Sequence, residues 1–334
     1  LAGEAIRKAL DLTSWEAAQD FVREWEATGR ITRATVSIAD AVEKYLADAR
    51  ARLLSEETVL LYQRFLRGHF VPWCSLEGHE TFDRLDVDAI RDYRATWTWA
   101  GTTASRRVER LRTFFNFCVE SGWIAKNPAK GLRPPIVKTL PTEPFTREEM
   151  AEILTACDRL VTLGRYSSDE NQARVKAFVL ILRYTGLRIS DAARLDTKKV
   201  KDGRVFLYTA KTGTPVWVPI PAFLTDLLDA VPRHGDYYFQ TGEAETKTVR
   251  GSWDRTLRTI FKMARIQGGH AHRFRDTFAV ELLLQGVDLQ DVSVLLGHSS
   301  TKVTEKHYAP WVRARQERLE LAVRSTWIPS NLTL

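Results

Sequence analysis

Arg133-Pro134-Pro135-Ile136-Val137-Lys138-Thr139-Leu140-Pro141-Thr142-Glu143-Pro144 divides this chain in two. Four prolines in eleven residues remove backbone donors and fix φ, so neither a helix nor a central strand can run through the segment. Residues 133–144 read as an extended, semi-stiff linker between domains. At 334 residues the chain is longer than one ordinary core accommodates, which agrees with the division.

Upstream, from Thr35 to about Pro128, the text is almost purely helical. Ile38, Val42, Tyr45 and Leu46 mark one amphipathic helix, and a second is predicted from Thr58 to Val71. A third runs from Asp86 to Trp97 and a fourth from Thr102 to Val119. Leu111, Phe114, Phe115 and Cys118 share the apolar side of the fourth helix, whereas Arg106, Arg107, Arg110 and Arg112 crowd a different side. Four helices joined by short loops make a bundle. The arginine run fits either a solvated helix face or contact with a phosphate backbone. Further upstream, Ile6 to Leu12 fits the end of a small β element. A helix follows from Ser14 or Trp15 to Ala27, stopped by Gly29. Residues 1–34 therefore read as the end of a domain. The start at Leu1 rather than Met fits either a processed chain or a natural N-terminus lying further upstream.

Downstream, Thr146-Arg147-Glu148-Glu149 resembles a capping box that restarts helical text. Helices are predicted at 146–160, 171–186, 221–230, 247–264, 274–286, 289–297, 300–307 and 311–325. Val205–Tyr208 and Val216–Ile220 are β-branched and aromatic runs that form a hairpin around Lys211-Thr212-Gly213. The expected fold class is mainly α with a small β-hairpin or sheet in the second domain, an α+β arrangement.

Composition narrows the function. The net charge of +7 favours a polyanionic partner. No stretch reaches the roughly 20 apolar residues that span a bilayer. Cys74, Cys118 and Cys157 are odd in number and far apart, which fits neither a full disulfide framework nor a zinc site and suits buried thiols in a reducing compartment. No P-loop or dinucleotide-binding glycine pattern is present, so nucleotide-dependent chemistry has no support.

Four patches of the second domain hold residues suited to chemistry. In Tyr184-Thr185-Gly186-Leu187-Arg188-Ile189-Ser190-Asp191, Gly186 ends a helix and Ser190 can cap the next. Arg188 is thereby held on a tight turn, with Asp191 near enough to orient its guanidinium. Lys211 occupies the hairpin tip. In His272-Arg273-Phe274-Arg275-Asp276, His272 and Arg275 project to one side of a helix start, which makes an anion site. Leu296-Gly297-His298-Ser299-Ser300 places His298 after a helix-ending glycine, and Tyr308 closes another short helix. Each patch alone has a plainer reading: a surface salt bridge, an exposed turn lysine, a capping histidine, a packed tyrosine.

Together, in this order, they closely resemble the tyrosine recombinase family of phage integrases and Cre-type enzymes. That resemblance implies a catalytic set of Arg188, Lys211, His272, Arg275, His298 and Tyr308, with Asp191 in support. It implies a helical core-binding domain over 35–132, a catalytic domain over 145–334 and, in 1–34, the end of an arm-binding domain. Where the family often has H-x-L-R-H-T, this chain has Phe274 and Asp276 in place of the leucine and second histidine, both outside the six.

The implied activity is site-specific recombination, cutting and rejoining double-stranded DNA through a 3′-phosphotyrosine on Tyr308. Arg188 and Arg275 offer permanently charged forks matched to phosphate, and His272 and His298 add hydrogen bonds. His272 is also a candidate acceptor of the Tyr308 proton, and Lys211 is the implied acid for the 5′ leaving oxygen. With no carboxylate pair of two-metal spacing, fixed cations take the metal's role. No cofactor, metal or ATP is expected. The family pattern further implies a homotetramer on DNA, two domains clamping the duplex, a C-terminal tail from Pro310 to Trp327 exchanged between protomers, and a cytoplasmic, nucleoid-associated location. The competing readings are a catalytically silent sequence-specific DNA-binding protein and a type IB topoisomerase or telomere resolvase.

Overall fold

The computed structural model describes residues 36–137, 143–162, 169–232, 235–240 and 246–327, together with 15, 19, 22 and 23. The expectations for 1–14, for most of the first helix and for 138–142 of the linker lie outside the described residues. The chain separates into two compact units, Leu1–Thr139 and Leu140–Leu334.

In the first unit, α1 (Ile38–Ala51) starts at Ser37, whose hydroxyl accepts from Asp40 N–H at 3.0 Å. Ser55 caps α2 (Glu56–Phe65) in the same way. These caps satisfy first-turn donors that lack helical partners. The predicted second helix is interrupted, because Pro72 has no N–H and crowds the carbonyl four residues back. The chain answers with a π turn at Leu66–Phe70, in which Val71 N–H donates to Leu66 O, before α3 (Val71–Leu76). Asp86 caps α4 (Val87–Ala95) through Asp88 and Ala89, and α5 (Gly101–Glu120) is the longest helix among the described residues of this unit. Tyr45, Phe65, Phe70, Phe114 and Phe115 fill the core, mostly in edge-to-face pairs.

The four arginines of α5 do not form one free face. Arg112 donates to Ala129 O at 3.3 Å and to Leu132 O, and pairs with Glu109, which pins the chain after α5. Arg107 lies among aromatic rings after all, 3.1 Å above the Trp99 ring centre and 5.1 Å from that of Phe65. Arg106 is exposed and Arg110 half-buried.

The second unit is also mainly helical. Its helices are α6 (Arg147–Thr162), α7 (Asp169–Thr185), α8 (Ile189–Ala193), α9 (Ala222–Asp229), α10 (Thr246–Met263), α11 (Ala271–Leu284), α12 (Leu289–Leu295), α13 (Thr301–Tyr308) and α14 (Arg313–Arg324). The capping box at Thr146 is present, with Thr146 N–H donating to Glu149 and Glu149 N–H to the Thr146 hydroxyl. Phe178 on α7 stacks on Trp253 on α10 at 3.9 Å between ring centres, at the heart of this core.

The hairpin carries a third strand. β1 (Val200–Lys201), β2 (Arg204–Tyr208) and β3 (Pro215–Pro219) form an antiparallel sheet in that order, with Val205 opposite Val218 and Leu207 opposite Val216. Those four side chains are buried, whereas Phe206, Tyr208 and Trp217 are exposed on the other face. Two residues of β1 are too few to show alternation, and only five residues make up α8; both lie below the length at which periodicity is readable. The three cysteines are buried and free, and burial pushes each thiol up to about 12. Among the described residues no helix is long and apolar enough to cross a membrane.

Candidate active site

Two glycine turns and one buried arginine build the site. Gly186, after α7, has φ +62°, and Gly297, after α12, has φ +61°. A Cβ on Gly186 would come within 2.6 Å of Phe278, and one on Gly297 within 2.6 Å of Val216 and 3.0 Å of Thr209. Only glycine combines that conformation with so close an approach. Arg275, in the first turns of α11 and 2 % exposed, donates to Gly186 O at 2.7 Å and Leu296 O at 2.6 Å. One guanidinium thereby fixes the spacing of both turns, and Arg188 and His298 leave from their far ends. Arg273, two residues earlier, is structural: it pairs with Glu149 at 2.8 Å and donates to Glu143 O.

Arg188 is itself the N-cap of α8, in extended conformation, in place of the expected Ser190. Its charge acts on Arg275, His272, His298 and Tyr308. Burial and this neighbouring charge push Arg275 down to about 10. His298 shares Nδ1 with the Thr304 hydroxyl at 2.7 Å, leaving Nε2 to meet a ligand. Burial, then Arg275 and Arg188, push it down to about 4. His272 lies more open; desolvation, with Arg275 and Arg188, holds it below the ordinary imidazole value against the pull of Asp276.

Tyr308 ends α13 and is 4 % exposed. Its hydroxyl donates to Asp276 Oδ1 at 2.6 Å, and His272 Nε2 lies 3.7 Å from the same oxygen. Burial, then the Asp276 charge and hydrogen bond, raise Tyr308 well above the usual phenol range, while Arg275 and Arg188 act in the opposite direction. Asp276 is the member of this cluster that sequence reasoning set aside. The available signal was its spacing: four residues after His272 on one helix puts both on one face. His307 is exposed, its ring centre 6.2 Å from that of Tyr308.

Among the described residues Asp191, the expected support of Arg188, is bonded to the hairpin turn. Its Oδ1 accepts from Ala210 N–H at 2.9 Å, so it holds the backbone just before Lys211, and among the described residues it makes no ion pair with Arg188. Thr212 ties the same turn to Gly297 O at 3.2 Å. The turn is anchored, and the Lys211 side chain on it is exposed. Arg188, His272, Arg275, His298 and Tyr308 are together. Buried polar atoms without partners gather here: Arg188 Nη1, Arg275 Nε, Asp191 Oδ2 and Asp276 Oδ2. Unpaired buried N–H groups of this kind are rare in folded proteins and mark a place for an acceptor.

The family model described as the phage integrase family matches residues 143–312, a span that contains every member of this cluster. The chain belongs to the phage integrase family. Among its relatives, a tyrosine recombinase of Thermosipho africanus is 26 % identical over 279 residues, covering 80 % of this chain and 93 % of the relative. The tyrosine recombinase XerD of Shewanella oneidensis is 28 % identical over 282 residues, covering 80 % and 90 %. Similar solved structures include a lambda integrase dimer bound to a COC′ core site, with TM-score 0.64, 16 % identity and coverage of 95 % and 89 %. Another is the post-cleavage complex of XerH site-specific recombinase on a palindromic difH substrate, with TM-score 0.65, 18 % identity and coverage of 92 % and 89 %. These likenesses place this family member in the tyrosine recombinase fold.

Proposed function

We propose that this chain is a site-specific DNA recombinase that cuts and rejoins duplex DNA through a 3′-phosphotyrosine on Tyr308, with no metal or ATP. The observation that carries the reading is the set of unpaired buried donors, Arg188 Nη1 and Arg275 Nε, in the same cluster as the Tyr308 hydroxyl. A phosphodiester under attack gathers negative charge on its nonbridging oxygens. Two guanidinium groups already fixed in place, with His272 and His298 Nε2, meet that charge without reorganising, and one such donor contributes about 10²–10³ in rate.

Lys211, on an anchored turn but free at its tip, then acts as the acid for the 5′ oxygen, reaching the site when DNA is bound. In this reading residues 145–334 are the catalytic domain, 35–132 the core-binding domain, 133–144 the linker and 1–34 the end of an arm-binding domain. Arg106 and Arg110 remain available for DNA phosphates, while Arg107 and Arg112 serve the bundle. DNA binding falls steeply with salt as counterions are released. Leu319, Leu321 and Val323 on α14 are more than half exposed, which suits docking on a neighbouring protomer in a tetramer on DNA.

The test is incubation with nicked suicide duplexes drawn from the flanks of its own gene, scored for a denaturation-resistant protein–DNA adduct. The native chain forms it and Tyr308→Phe does not, although both bind. If neither forms an adduct while sequence-specific binding persists, the chain is a silent DNA-binding protein.

A further inference from the structure

Asp276 stands outside the six residues the family resemblance assigns, at a position where the family often has histidine, yet it is the residue the Tyr308 hydroxyl touches. Tyr308 and Asp276 are 4 % and 5 % exposed, and their 2.6 Å hydrogen bond is as short as bonds to an ionised acceptor become. Asp276 Oδ2 is buried with no partner. A carboxylate kept out of water with one oxygen unpaired is a destabilising choice for packing, and such choices concentrate where chemistry needs them. The charged and titratable groups around the pair are His272 and Arg275 from α11, Arg188 from the head of α8 and Tyr308 itself from α13. From α7, Arg183 is bonded to Glu281 further along α11.

We propose that Asp276 is the general base that takes the Tyr308 proton during cleavage and returns it during rejoining. The proposal rests on the reading of Tyr308 as nucleophile. As the Tyr308 oxygen bonds to phosphorus, its O–H bond breaks and the proton passes to Asp276 Oδ1. The bond from phosphorus to the 5′ oxygen breaks, and that oxygen takes a proton from Lys211. In rejoining, the 5′ hydroxyl attacks phosphorus and gives its proton back to Lys211. The bond to Tyr308 breaks, and Asp276 reprotonates the phenol. His272 Nε2, 3.7 Å from Oδ1, is beyond hydrogen-bond reach of that oxygen, so in this proposal it is left to meet the phosphate. Transfer within the attack also avoids free phenoxide, which burial and the neighbouring carboxylate disfavour.

The measurement is the single-turnover rate of adduct formation on the nicked duplex that the native chain cleaves. Asp276→Asn keeps the shape and can still accept the Tyr308 hydrogen bond, but it cannot take the proton. Its rate falls by about 10²-fold or more, and it rises about tenfold per pH unit from pH 7 to 9 as phenoxide must form beforehand. Replacing Tyr308 by a fluorinated, more acidic tyrosine restores much of the lost rate. An Asp276→Asn rate equal to or above the native one would mean that Asp276 only restrains a resting hydroxyl, and overturns the proposal. Should Asp276→Asn not fold, the fluorinated tyrosine in the otherwise native chain decides. A rate change within about threefold is expected for transfer during attack, and a rise in proportion to phenol acidity overturns it. An unchanged Asp276→Asn rate beside a silent Tyr308→Phe removes this proposal alone. No adduct from the native chain removes it together with the nucleophile reading.

Discussion

Arg275→Met separates what the site needs for chemistry from what it needs to fold. The guanidinium makes two charge-assisted bonds, to Gly186 O and Leu296 O, each contributing about 1.5–3 kcal/mol. Against this stand burial and the Arg188 charge, which take Arg275 from 12.5 to about 10, equivalent to about 3 kcal/mol against the charged form. Methionine fills most of the same volume, so little cavity term is added. Two bonds contribute about 3–6 kcal/mol against about 3 kcal/mol opposing, so Arg275→Met is expected to destabilise by about 0–3 kcal/mol. Arg275→Lys retains the buried charge but can reach only one of the two carbonyls, so the conservative variant is no more stable than the methionine one. Adduct formation falls by at least about 10²-fold in both. Urea unfolding of the full chain, alongside the suicide-duplex assay, gives both numbers. A loss above about 5 kcal/mol in Arg275→Met would refute this balance of forces, as would Arg275→Lys proving clearly the more stable of the two.

Three further outcomes are expected. Gly297→Ala forces an L side chain to φ +61° and against Val216 and Thr209, costing about 2–5 kcal/mol by urea unfolding and lowering cleavage as His298 moves. Lys211→Ala leaves the unfolding free energy within about 0.5 kcal/mol but slows cleavage. A better 5′ leaving group in the substrate restores the rate, and failure to do so would remove the acid role. His298 titrates near 4 in the folded chain against 6.5 in the unfolded one, so between these values the unfolded chain binds the extra proton. Its share of the stability is therefore full above about pH 6.5 and declines as pH falls toward 4. The slope is at most about 1.4 kcal/mol per pH unit, reduced by the ring's partial exposure. His298→Gln flattens that stretch of a urea-midpoint profile against pH.

Local chemistry made most of the frame legible in the amino-acid order alone. Helical periodicity and a capping residue such as Thr146 act within a turn, so they mark most of the helices. Gly186 and Gly297 are visible as helix stops, and the spaced patches from Arg188 to Tyr308 carry the family resemblance. Contacts between distant segments were decided only by the tertiary structure, because no sequence spacing encodes them. Pro72 is plain in the sequence, but whether the chain would break or widen into a π turn depended on the bundle packed around it. Asp191 could serve Arg188 three residues earlier or Ala210 nineteen residues later, and folding chose the latter. Arg107 sits in a run that reads as one free face, and the rings of Trp99 and Phe65 claimed it. Asp276 looked like an incidental replacement beside Arg275 until α11 and α13 met, and the 2.6 Å bond to Tyr308 exists only because those two helices pack together.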